Sequence, residues 1–444
     1  MRFVKNSADF AVGGRSMGPA MIAGSLVGAF VGGTSTIGTA QLAYHSGISA
    51  IWFTFGAGLA CLVLGIWLAK PLREVEVDTI PQFLNTVYGG QITIWAGVYT
   101  LIGIFIQIMA QMLALVPLVT SLIPISPALA ATLGGCLILI YVIFGGFWGT
   151  SLVGMVKLIL LYTVLLGAGI FAFLKLGGVA AFHGSLANGP WLNLFPNGRA
   201  HNLAEGFSVL VGFISTQTYL QSVFAGKNSR ASRGGVFITA GMLPLIGLAC
   251  TSIGIYMGVN YPGLSPSLAL PRFAVLSLPP YLGGVLIATL VISLIITGAG
   301  LTLGAATILV QDLGPKIFRL KPSVAAMRVT ITLVTLSALG IVLVDTQALI
   351  LKWAFLSMAL RGVTVFVPLV AAIFCKSKVS PQNGVRAVAL APLGAIAWYV
   401  VGSPIMDPLY IGLLLSIILL FIPRTLGRKK QQNLQDSDVN QRND

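Results

Sequence analysis

Apolar segments of about 20 residues, the length that crosses a hydrocarbon core as an α-helix, follow one another along almost the whole chain. Inside a bilayer no water satisfies backbone N–H and C=O groups, so spanning segments fold either as helices or as a closed barrel. Segments of this length select helices. Composition agrees: of 444 residues, 56% are hydrophobic and 8% charged, against about 25% charged in a soluble domain. The chain therefore reads as an all-α integral membrane protein. Residues 1–16 are polar, with no apolar core before a cleavage site, so no cleavable signal is expected there.

The apolar pattern predicts about twelve transmembrane helices, at 17–44, 47–69, 92–120, 127–148, 151–174, 203–225, 235–258, 280–311, 325–344, 347–374, 386–402 and 405–423. A short surface helix is expected at 268–278, and a disordered cytoplasmic tail at 425–444. Net charge is +15, but its distribution argues for membrane topology and against nucleic acid. Of the 26 Lys and Arg, Lys175, Arg199 and Arg272 fall outside, and Lys157, Lys352 and Arg361 fall within spans. The rest lie inside if both termini are cytoplasmic, which is the positive-inside arrangement. The reading is a multi-pass protein of the plasma membrane, in contact with lipid.

The first span contains an anomaly. Ala23 to Gly38 carries Gly24, Gly28, Gly32, Gly33 and Gly38 together with Ser25, Thr34, Ser35 and Thr36. Each glycine costs a helix interior about 1 kcal/mol relative to alanine. Two readings stand. The helix breaks here and lines a polar cavity, where freed carbonyls meet cations and helix N-termini meet anions. Alternatively, Gly24, Gly28 and Gly32 let helices pack closely.

Chemistry on a substrate has little to stand on. No Walker, HExxH, GxSxG or CxxC pattern is present, and His45, His183 and His201 have no ligand partner at helical spacing. Cys61, Cys136, Cys250 and Cys375 lie in or at the ends of apolar segments, as packed thiols do. No cofactor is expected beyond a possible sodium ion.

Five stretches in order resemble the sodium:solute symporter family. They are Ala8-Asp9-Phe10-Ala11-Val12-Gly13-Gly14-Arg15-Ser16-Met17-Gly18-Pro19; Thr79-Ile80-Pro81-Gln82-Phe83; Tyr141 to Phe147; Gln217-Thr218-Tyr219-Leu220-Gln221 with Ala225-Gly226-Lys227 and Arg230; and Asp312-Leu313. The resemblance extends over about residues 8–375. The resemblance implies a leucine-transporter-type fold, a 5+5 inverted-repeat core with helices 1 and 6 broken. The repeats would be about 17–174 and 203–374, two extra helices would occupy 386–423, and the transporter domain would run over 1–424. Span 6 supports this independently, since Gly206 and Gly212-Phe213-Ile214-Ser215-Thr216 make a second polar interruption. The family usually carries one more helix before the Gly-Gly-Arg segment, so the expectation is either that this helix is absent or that the start codon is misassigned.

The resemblance further implies a sodium site between the first and eighth core helices. Its carbonyls map to Gly28, Val31 and Ser293, and its hydroxyl pair to Ile296 and Thr297. Thr297 fits, whereas Ile296 offers no oxygen to a hard cation. On span 5 the family's acidic position is Gly154, and Lys157 follows one turn later on the same face. Lys157 lies about 9 Å into the span, where a lysine costs roughly 2.5–3.5 kcal/mol at the bilayer centre. Proton-coupled transporters of this fold place a fifth-helix lysine in the vacant sodium site. Lys157 is expected either to do so, bonding Gly28, Val31 and Thr297, or to snorkel to the cytoplasmic surface.

Arg361 in span 10 faces no intramembrane carboxylate in the sequence. A permanently charged, bidentate guanidinium points either to an anionic solute such as a carboxylate or to a structural arginine bonded to broken-helix carbonyls. Thr34, Ser35, Gln107, Gln111, Ser215, Thr216 and Gln217 are the polar groups expected to line a solute cavity, or else to bond helix to helix. The function expected is cation-coupled transport of a small organic solute by alternating access, with sodium as the ion by resemblance and proton-coupled or sodium-independent transport as the alternative. A membrane sensor would need a signalling domain that 20-odd tail residues do not supply. A channel would need a continuous polar path.

Overall fold

The computed structural model describes residues 15–182, 186, 190–319, 321–345, 349–401 and 406–422, with backbone only at 145–156 and a few loop positions. The Gly-Gly pair of the 8–19 segment and the expected tail at 425–444 lie outside the described residues.

Among these residues the chain is helical, and nine helical stretches are long and apolar enough to cross a membrane. Three shorter apolar helices accompany them. The first helix among the described residues is α1 (Pro19–Phe30), opened by a proline at its first turn, where the missing N–H costs nothing. A π-helical turn, Thr34–Gly38, leads into α2 (Thr39–Ser46). Gly47 then turns the chain at φ +61°, a conformation open to glycine. A Cβ there would also lie 2.2 Å from the Trp191 carbonyl oxygen. After Gly47 come α3 (Trp52–Val63), the π turn Leu64–Leu68 and α4 (Ala69–Glu74). A short helix, α5 (Ile80–Tyr88), is capped by Thr79, whose hydroxyl accepts from Gln82 N at 3.1 Å.

The middle of the chain forms α6 (Gly90–Thr120), α7 (Pro127–Leu160), the π turn Leu161–Leu165 and α8 (Leu166–Lys175). The expected break between spans at 148 and 151 therefore falls inside one continuous backbone helix. Glycines crowd that region, but no proline is there to stop the ladder. Next come α9 (Arg199–Ile214) and α10 (Gln217–Phe224), separated at Ser215–Thr216, then α11 (Ser229–Asn260) and α12 (Ala269–Leu276). The latter is the expected short helix. α13 (Pro280–Thr307) continues as a π-helical segment to Phe318, well past the expected end at 311. The last helices among the described residues are α14 (Val324–Val342), α15 (Ile350–Phe374), α16 (Pro381–Val401) and α17 (Pro408–Phe421).

The broken segments sit at the centre. α1 packs against α7, α11 and α13, and α9 packs against α3 and α15. The approach of α9 to α15 is close because residue 212 is glycine: a Cβ there would lie 2.5 Å from the Met358 carbonyl oxygen. Beside the two breaks, Phe30 stacks on Phe53 with ring centroids 5.3 Å apart and meets Phe213 and Tyr219 at 5.6 and 5.8 Å. Phe213 and Tyr219, which flank the second break, stack at 4.4 Å. At the end of the bundle where α1 begins, Met17 N donates to Ala225 O (3.0 Å) and Lys227 N to Met17 O (2.9 Å). These bonds tie the start of α1 to the exit of α10.

Candidate ion and solute site

Ending a helix inside a membrane frees backbone groups that must find partners within the protein. At the first break α1 ends at Val31, whose ψ of 93° has left the helix. The freed N–H groups are satisfied locally and from α6: Gly32 N donates to Ser35 Oγ at 3.0 Å and Gly33 N to Gln111 Oε1 at 2.7 Å. Ser35 Oγ lies 3.3 Å from Phe30 O and 3.2 Å from Gly32 O, and Thr36 Oγ1 donates to Gly32 O at 2.8 Å. Ser35 is thus engaged inside the break itself.

The carbonyls of Gly28 and Val31 point away from this local network, toward α7 and α13. Lys157, fully buried, donates from Nζ to Gly28 O (2.7 Å), Ser293 O (2.9 Å) and Thr297 Oγ1 (2.7 Å). An ammonium has three N–H donors, and all three are used. Ser293 Oγ donates to Val31 O at 2.8 Å, and Thr297 Oγ1 lies 2.9 Å from Gly28 O and 3.1 Å from Val31 O. One charged group, three carbonyls and two hydroxyls thus come together from three helices. The expectation had Lys157 bonding Val31 as well. Instead the two α13 hydroxyls satisfy Val31 O, and the Ser293 carbonyl takes the third N–H. Ile296 turns off this cluster, buried at 2% exposure. A side chain that snorkels would end in the interface; this one ends in the bundle.

A second cluster forms around Arg361, also fully buried. Its Nε donates to Ser357 O (3.0 Å), Nη1 to Thr216 Oγ1 (2.8 Å), and Nη2 to Ser357 Oγ (2.7 Å) and Gln107 Oε1 (3.4 Å). Every acceptor is neutral, and among the described residues Arg361 has no ion pair. Gln107 and Gln111, one turn apart on α6, both donate to Thr34 Oγ1, at 3.3 and 3.2 Å. Thr216 Oγ1 in turn donates at 2.5 Å to the Gly212 carbonyl, which also accepts from Ser215 N at 3.2 Å. The arrangement links both helix breaks to α6 and α15 through side chains, with a cation at its centre. Ser215 is buried beside it, and its hydroxyl has no partner among the described residues.

Gln217 stands apart from this group. Its Oε1 accepts from Ile80 N and its Nε2 donates to Asp78 O, each at 2.9 Å. Both ends of the amide hold the loop before α5, so it faces the end of the bundle rather than the Arg361 cluster. That end carries its own polar group. Asp312 accepts from Thr79 Oγ1 (2.9 Å) and Gln82 Nε2 (3.1 Å), and Arg15 pairs with Asp78 at 2.9 Å.

Ser357 was not singled out in the sequence, although it bonds Arg361 twice and also donates to the Gly103 carbonyl. The available signal was its place four residues before Arg361, on the same helix face. Among the described residues no His, Cys, Asp and Glu cluster could hold a metal ion.

The comparisons with known proteins agree with one another. The family model of the sodium:solute symporter family matches residues 10–384. The high-affinity proline transporter PutP of Bacillus subtilis (strain 168) is 23% identical over 363 residues, covering 78% of this chain and 76% of that protein. Among solved structures, a Na+-coupled sialic acid symporter in a substrate-bound outward-open state superposes with TM-score 0.76 at 15% identity, covering 94% of this chain and 92% of that one. Mhp1, a nucleobase-cation-symport-1 family transporter, gives TM-score 0.61 at 14% identity, covering 92% and 93%. MhsT in complex with L-phenylalanine gives 0.54 at 13%, covering 90% and 97%.

Proposed function

The chain belongs to the sodium:solute symporter family, and from that premise we propose that it is a secondary active transporter in which the Lys157 ammonium replaces the coupling sodium ion. The solute is a small organic molecule, and the coupling ion is a proton. The observation that carries this reading is the set of three bonds from Lys157 Nζ to Gly28 O, Ser293 O and Thr297 Oγ1. Carbonyl and hydroxyl oxygens from a broken helix and a facing helix are what a sodium ion would take at a midplane site. Here a lysine nitrogen occupies their focus. An ammonium supplies the same unit charge, stays attached to the protein, and changes charge by exchanging a proton rather than by leaving.

The Arg361 cluster is the solute site in this reading. A guanidinium surrounded only by neutral acceptors favours a carboxylate or another planar anion, which its fork grips through two parallel bonds. Thr34, Gln107, Gln111, Ser215 and Thr216 complete the lining, and Ser35 shapes the break that presents Thr34. Alternating access rocks one group of helices against the other about these two clusters. The topology proposed with it has twelve spans, two inverted repeats over about 17–174 and 203–374, and both termini in the cytoplasm, at the plasma membrane.

Sodium coupling is the second reading, favoured by the family match. It requires Lys157 to withdraw so that Gly28, Val31, Ser293 and Thr297 bind sodium. Thermal unfolding of the purified protein, screened over carboxylates, amino acids and sugars with and without sodium, separates the two. The proposal expects stabilisation by one solute class that is equal in sodium and in choline. Stabilisation that appears only with sodium contradicts it.

A further inference from the structure

Between the Lys157 cluster and the end of the bundle closed by Met17 and Ala225–Lys227 lies a small cavity of about 20 Å³ measured at water centres. Ser25, Gly28, Thr218, Gln221, Ile296 and Gly300 line it. That volume accommodates one water, and a buried water needs two to four polar partners. The walls supply them. Thr218 is 4% exposed, and its Oγ1 has no hydrogen-bond partner among the described residues. Ser25 Oγ and Ser222 Oγ form a hydroxyl pair at 2.8 Å, in which either can donate. Gly28 belongs to both places: its carbonyl oxygen holds Lys157 Nζ, and the residue forms part of the cavity wall. Ile296 gives the opposite wall no polar atom.

We propose that this cavity is a water site through which the proton of Lys157 leaves toward the end of the bundle where α1 begins. The inference rests on the reading of Lys157 as the proton-carrying group. When α1 moves, the Gly28 carbonyl withdraws from Nζ, and the water on its far side becomes the acceptor. One N–H bond of the ammonium breaks, its electron pair stays on nitrogen as a neutral amine, and the proton forms an O–H bond on the water. The excess proton then passes along the Ser25–Ser222 hydroxyl pair. The groups facing Lys157 are neutral: the Gly28 and Ser293 carbonyls and the Thr297 hydroxyl. α1 carries no titratable side chain. α6 carries only Tyr99, and α13 only Tyr281. Cys136, Tyr141, Tyr162 and Lys175 lie on the lysine's own helical stretch, and Arg328 lies on α14. Asp312 and Lys316 lie beyond the end of α13, with Asp312 about 22 Å along the helix from Thr297.

The test uses the full-length protein in liposomes and two variants that keep the shape of the wall, Thr218→Val and Ser25→Ala. Net uptake driven by a pH gradient requires Lys157 to lose its proton in every cycle, whereas solute counterflow does not. The expected result is a several-fold fall in net uptake for either variant with counterflow unchanged, and a larger slowing of wild-type net uptake than of counterflow in heavy water. Should Thr218→Val fail to fold, Ser25→Ala and the heavy-water comparison decide. Net uptake at the wild-type rate and pH profile in the variants, with no selective effect of heavy water, overturns the water site. If the wild type itself ignores pH and requires sodium, the reading of Lys157 fails and the water site with it.

Discussion

Lys157 Nζ and the carbonyl oxygen of Gly28 are 2.7 Å apart, although 129 positions separate the two residues in sequence. The contact joins a lysine on a continuous helix to the last turn of the first helix, just before it ends at Val31. It also explains why the break is tolerated: a carbonyl without an intrahelical donor costs several kcal/mol in lipid, and a charged donor meets it.

Replacing Lys157 by Met removes all three donors and leaves Gly28 O with the Thr297 hydroxyl as its side-chain partner. A hydrogen bond from a charged group is worth about 1.5–3 kcal/mol, so the melting temperature should fall while the fold survives. Transport should lose its pH dependence. Lys157→Arg keeps the charge but cannot release a proton at physiological pH, so it should bind solute and fail to cycle. Binding and uptake assays on the two variants separate the role of charge from the role of proton exchange.

Arg361→Lys retains the charge and loses the fork. One charge-assisted bond is worth about 1.5–3 kcal/mol, so affinity for an anionic solute should fall by about tenfold or more. Gly103→Ala tests the same site without touching a polar group, because its Cβ would lie 2.5 Å from Arg361 Cγ and displace the side chain. Both variants should weaken binding in equilibrium titrations. Unchanged affinity in both makes Arg361 a purely structural residue.

Gln217→Ala should leave solute affinity intact and loosen the end of the bundle. The two bonds lost, to Asp78 O and Ile80 N, are each worth about 1 kcal/mol. Faster amide hydrogen exchange across Ile80–Tyr88 is the expected readout. A loss of solute affinity with unchanged exchange would put Gln217 back at the solute site.

What could be read from the sequence follows from scarcity. In an apolar chain a lysine or an arginine inside a span is conspicuous, and Lys157 and Arg361 prove to be the centres of the two polar clusters. Glycine-rich, hydroxyl-bearing stretches marked both helix breaks for the same reason: they cost helical stability without an evident local return. Gln217 was misplaced because its partners, Asp78 and Ile80, are about 140 residues away, and periodicity carries no information on which loop folds back. The continuity of α7 was hidden because glycines weaken a helix without obliging it to end. Thr218, unremarkable beside its motif neighbours, acquires meaning only from a cavity that three helices build together.

The central claim is that a protonatable lysine stands where the family name leads one to expect sodium. Solute uptake into liposomes containing the purified protein tests it most directly, with either a sodium gradient at fixed pH or an inward proton gradient in sodium-free buffer. Accumulation under the proton gradient alone, indifferent to sodium and abolished in Lys157→Met, is the predicted result. Accumulation that saturates with sodium, ignores the proton gradient and survives Lys157→Met would contradict it.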